Sequence, residues 1–156
     1  MIKVRSSPSP WTENFNKQPL GTPERLIHGY WQLGIKRFHT LSDECSEELQ
    51  HTYNQVNHKL GVDVISIDLG SLGNEYRNES QILQIIRNEV PTWIWFRNCH
   101  ALLDTSLAGW LRSVLTTYNV DHVRVVFVLD SKDQFRSIFQ KYSAPFYQST
   151  MPLELI

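Results

Sequence analysis

Two rhythms of apolar residues alternate along this chain. In the stretch "GTPERLIHGYWQLG", Leu26, Ile27, Tyr30 and Trp31 recur at helical spacing. Thr22 suits the N-cap of this helix, Pro23 its first position, and Gly34 its close. A short strand is predicted over 35–41. A helix over 46–61 comes next, with Leu49, Tyr53, Val56 and Leu60 on one face and Gly61 as its stop. Residues 62–69, "VDVISIDL", are β-branched at alternate positions and read as a second strand. A helix over 78–90 ends before Pro91, and "TWIWF" (92–96) forms a third strand. Asp104 caps a helix over 104–119, whose stripe is Leu107, Trp110, Leu111, Val114 and Leu115. "VRVVFVL" (123–129) is apolar at nearly every position, as a strand covered on both faces must be. The last helix, over 131–142, aligns Phe135, Ile138, Phe139 and Tyr142. An edge strand is expected within 146–155, interrupted by Pro152.

Strands alternating with helices in this way predict an α/β three-layer sandwich. Its sheet should be mainly parallel, of four to five strands, with helices on both faces. The 123–129 strand is expected at the centre, flanked by 92–96 and 35–41, with 62–69 near an edge. Residues 21–156 form one domain in this reading. Residues 1–20, rich in Pro, Ser and Asn, form an extended segment held by Trp11, Phe15 and Leu20. Trp11 and Phe15 belong to no periodic face, so they are expected to pack on the chain's own helices, beside Tyr30 or Trp31, or on a partner subunit.

Composition narrows the function. Fifteen Lys and Arg against sixteen Asp and Glu leave the 156-residue chain nearly neutral, which argues against a general nucleic-acid or membrane-surface role. Only a spatial cluster of Arg37, Arg97, Arg112, Arg124 and Lys132 would change that. No apolar run is long enough to span a bilayer, and the first twenty residues do not read as a secretory signal. Cys45 and Cys99, far apart in sequence, read as free thiols of a cytoplasmic protein.

Candidate chemistry belongs at the carboxyl ends of the strands. After the first strand, "SDECSEE" contains Asp43, Glu44, Glu47 and Glu48 but neither glycine nor lysine. Carboxylates there stabilise a helix N-terminus and oppose an anion. After the third strand come Arg97, Asn98, Cys99 and His100, and after the fourth Asp130 and Ser131, both read as capping residues. Asp68 reads as a solvent contact at the end of its strand. His51 and His58 lie two helical turns apart, too far for one zinc, and no metal or other cofactor is expected. No Ser-His-Asp set emerges. Cys99 and His100 are neighbours on extended chain and point to opposite faces.

In order, these pieces resemble AAA+ and STAND-type P-loop ATPases, chiefly the transposition-helper and archaeal-ATPase branches. "PLGTPERL" resembles the approach to their first helix. "TWIWFRNCHALLDTSLAGWLRSVL" resembles the second nucleotide motif. "VRVVFVLDSKDQFRSIFQKYSAPFYQSTMPLEL" resembles the sensor strand, the helix after it and the segment leading to the last strand. The resemblance spans about residues 20–155. It implies a nucleotide site at Ser42, Asp43, Cys45, Glu47, Glu48, Arg97, Asn98 and Asp130, with its chemistry lost. Glu47 stands where the family has its phosphate-binding lysine, and Glu48 where it has Ser/Thr. Arg97 and Asn98 replace the magnesium-holding Asp and the catalytic Glu. The family's helical lid is not expected in these residues.

The resemblance implies a non-catalytic scaffold that binds a protein partner or itself, in a mobile-element or defence assembly. The competing expectation is a small enzyme with a site around His39, Cys45, Arg97 and His100.

Overall fold

A computed structural model describes residues 17–117 and 120–153. The expectations for Trp11 and Phe15 therefore fall outside the described residues. The first helix, α1 (Pro23–Gln32), has Thr22 as N-cap, its side chain accepting from the Arg25 N–H. Next come β1 (Arg37–Leu41), α2 (Glu47–Lys59), β2 (Asp63–Asp68) and α3 (Gln81–Asn88). Then β3 (Thr92–Arg97), α4 (Thr105–Thr117), β4 (Val123–Leu129), α5 (Lys132–Phe135) and β5 (Met151–Pro152) complete the domain. Ser46 and Ser80 cap α2 and α3 through Leu49 and Leu83 N–H groups, and Asp104 caps α4 through Ser106 N–H.

All strands run parallel in the order β2-β3-β4-β1-β5. The β4 strand is flanked by β3 and β1 with β2 at an edge, as the sequence predicts. Side-chain alternation divides the core. Trp93, Trp95, Val126 and Val128 face α1 and α2, whereas Ile94, Phe96, Val125, Phe127 and Leu129 face α3, α4 and the segment after β4. Two layers of helix therefore enclose the sheet. Among the described residues, no helix is long and apolar enough to cross a membrane.

Two expectations change. The helix predicted over 131–142 is α-helical only to Phe135, continues as a π turn over Arg136–Gln140, and ends there. The wider π winding carries Ile138 and Phe139 into the core but puts Tyr142 outside the stripe, 86% exposed. The expected edge strand is present as β5, two residues long, since Pro152 cannot donate to a ladder. Pairing stops once Leu153 N–H has reached the His39 carbonyl, at 2.9 Å. Leu20, expected as an anchor, is 81% exposed.

Arg124 occupies the middle of the α1–α2 face, 1% exposed. Its guanidinium donates to the carbonyls of Tyr30, Trp31, Asp121 and Val123 and lies 4.3 Å from the Trp31 ring. It thereby supplies donors to carbonyls in the last turn of α1. Burial lowers its pKa to about 10, so it stays charged at neutral pH.

Candidate functional site

Connections across the sheet run in opposite directions on either side of β1 and β4. The chain leaves β1 over the α2 face toward β2, and leaves β4 over the opposite face toward β5. A crevice between divergent loops is the usual ligand position of an open α/β sheet.

The loop after β1 is short and folded on itself. Ser42 N–H donates to the Leu129 carbonyl at 2.7 Å, and the Glu44 and Cys45 N–H groups both donate to the Leu41 carbonyl. A phosphate cradle needs such amides turned outward together, and these three are already engaged. Cys45 is buried against the α1–α2 face. Asp43, Glu44, Glu47 and Glu48 are exposed around it. Gln50, one turn into α2, donates to the Cys45 carbonyl at 3.0 Å, and its amide oxygen accepts from the Arg97 guanidinium. Arg97, the last residue of β3, also donates to Ser66 Oγ at 2.8 Å. A chain of side-chain bonds thus ties the ends of β2 and β3 to the loop after β1.

Asn98 turns the backbone through the left-handed region, with φ 55°, a conformation Asn tolerates better than most residues. Its side chain donates to Asp68 and accepts from His100 Nδ1. Asp68 Oδ1 also accepts from Gly70 N–H at 2.8 Å. Together with Ser71 and the nearby His100, these bonds hold the Asp68 carboxyl below its ordinary range, the Asn98 bond contributing most. Asp68 is therefore a bonded turn residue as well as a solvent contact. Gly70 allows this closeness. A Cβ there would lie 2.2 Å from Asn98 Nδ2 and 3.2 Å from Asp68 Oδ1.

The proposed enzyme residues do not converge. His39 faces the α5 side of the sheet, its ring 4.4 Å from Phe135 and its Nδ1 2.9 Å from Thr150 Oγ1. Cys45 lies in the core of the opposite face. Arg97 is held by Ser66 and Gln50, and His100 by Asn98. Cys99 is buried on the α3–α4 face with its thiol donating to the Phe96 carbonyl, and burial raises its pKa strongly. It is no thiolate nucleophile. At the end of β4, Ser131 alone caps α5, through Gln134 N–H at 3.1 Å. Asp130 does not cap it, and its own N–H donates to Gln134 Oε1. Among the described residues, no group of three His, Cys, Asp or Glu is placed to hold a metal ion.

The five cationic residues do not form one patch. Arg124 is buried on the α1–α2 face and Arg97 is bonded to Ser66 and Gln50. Arg37 donates to the Ser149 carbonyl and is near enough to Arg112 to be repelled by it.

Sequence reasoning missed a cavity of about 290 Å³ beside β1, lined by His39, Leu41, Glu44, Lys132, Phe135, Arg136 and Gln140. The available signal was positional, since Glu44 and Lys132 come after the two strands whose loops diverge.

Burial lowers the pKa of His39 below its ordinary value. The unfolded chain thus binds the proton first as pH falls, and stability drops as pH passes below about 6.5. The melting temperature should decline between about pH 7 and 5, and more shallowly in His39→Asn. Parallel declines in the two proteins would exclude His39 as the source.

Comparison with protein-family models, with curated proteins and with solved structures finds no match to this chain.

Proposed function

We propose that the chain is a non-catalytic member of the AAA+ and STAND-type ATPase group, a cytoplasmic scaffold that works by binding a protein partner. The observation carrying this reading is the chain of side-chain bonds from Arg97 through Gln50 to the Cys45 carbonyl. It occupies the strand ends where the resemblance puts the phosphate loop and the magnesium-holding acid. The strand order supports the same reading, being the one the resemblance predicts. Phosphoryl transfer needs a cradle of amides, a lysine on the β- and γ-phosphates, and an acid on the metal. Here the loop amides bond to Leu41 and Leu129, exposed Glu47 and Glu48 replace the lysine and hydroxyl, and Arg97 replaces the acid. Four exposed carboxylates repel a triphosphate. A surface kept for contact rather than chemistry is what remains.

Calorimetric titration with Mg-ATP and with Mg-GTP should give no saturable heat. A micromolar dissociation constant for either would overturn the proposal.

A further inference from the structure

The cavity beside β1 lies at the point where the connections after β1 and β4 diverge to opposite faces of the sheet. Its walls come from both. The loop after β1 supplies Glu44, and the segment after β4 supplies Lys132, Phe135, Arg136 and Gln140. β1 contributes Leu41 and His39, whose ring is 4.4 Å from that of Phe135. Part of the wall is the π turn over Arg136–Gln140, a winding frequent at functional sites.

The lining is chemically asymmetric. Leu41, Phe135 and the His39 ring provide a largely apolar surface, the two rings inclined by 33°. Glu44 and Lys132 are exposed and form no ion pair among the described residues, while Arg136 pairs with Asp133 at 3.1 Å. One free carboxylate and one free ammonium beside an aromatic wall match a ligand that has one charge of each sign and a planar ring. At about 290 Å³ the cavity is at the small end of ligand sites, suited to a metabolite rather than a nucleotide.

We propose that this crevice binds a small aromatic zwitterion, a free amino acid with a planar side chain or a close analogue. Its carboxylate meets Lys132, its ammonium meets Glu44, and its ring lies against Phe135 and His39. The site is independent of nucleotide chemistry, so the outcome of the nucleotide titrations neither supports nor weakens it.

The test is a titration of the full chain followed by amide NMR, with phenylalanine, phenylacetate and phenethylamine as probes. Phenylalanine should shift resonances of His39, Glu44, Lys132 and Phe135 saturably, with a dissociation constant of about 1 mM. Phenylacetate and phenethylamine should each bind about tenfold more weakly, the ratio one charge-assisted hydrogen bond supplies. Glu44→Gln should remove the advantage over phenylacetate, and Lys132→Gln the advantage over phenethylamine. Both positions are exposed, and unchanged melting temperatures would show the variants folded. The proposal fails if phenylalanine gives no saturable shifts at these residues, if either half-ligand binds as tightly, or if the folded variants discriminate as the parent does.

Discussion

Replacing Arg124 with methionine should lower stability by about 2–4 kcal/mol, although the change removes a buried charge from the core. Two effects oppose each other. Methionine fills much of the same space without the desolvation that the guanidinium suffers, a gain for the variant. Against that, the carbonyls of Tyr30, Trp31, Asp121 and Val123 lose the donors of a guanidinium that is itself 1% exposed, and the cation–π contact with Trp31 is lost. A hydrogen bond to a charged group contributes about 1.5–3 kcal/mol, and the ring contact about 1–2 kcal/mol. Loss of the donors is the larger effect. Lysine should rescue little, since a point charge cannot reach carbonyls on both α1 and the residues before β4. Urea unfolding of the three proteins is the measurement. A methionine variant within about 0.5 kcal/mol of the parent would mean that desolvation cancels the bonds.

The second large effect is expected at Phe127, on the other face. Its ring lies 5.1 Å from Phe96, 5.3 Å from Phe139 and 5.1 Å from Phe146. It therefore joins β3, the π turn and the segment before β5 to the sheet. Phe127→Ala should cost about 3–5 kcal/mol, and Phe127→Leu about 1–1.5 kcal/mol. The alanine variant should also exchange amide protons faster across 136–150 than within β2, because its cavity opens beside Phe139 and Phe146. Uniform acceleration over both regions would show that Phe127 stabilises the whole domain without a particular role in that segment.

The layered fold was legible because its signals are local. A strand such as "VRVVFVL" reads as central from its own residues, and Thr22, Pro23 and Gly34 mark α1 without reference to anything distant. The π turn was not legible. Its winding depends on how Phe139 packs against Phe127 and Phe146, and an ordinary helical stripe accounts equally well for Phe135, Ile138 and Phe139. Site geometry failed for the same reason. Asp68 and Asn98 end adjacent strands thirty positions apart, and nothing in either stretch announces the bond. Glu44 was read as one of four helix-start carboxylates, and Lys132 only as a candidate nucleic-acid contact. Their sharing of one cavity depends on β1 and β4 being neighbours.

The fit between Gly70 and Asn98 also limits how this sequence can drift. A side chain at 70 would collide with the Asn98 amide while that amide is bound to Asp68. A substitution at 70 therefore requires the Asn98 amide to swing away and give up its bond to Asp68. Asn98 can go to glycine first, since glycine accepts the left-handed backbone, and the space left would then admit alanine at 70. In the reverse order, the chain passes through an intermediate whose Asn98 side chain must shift at the β2–β3 corner. Substitutions at these two positions are therefore coupled, each changing what the other costs.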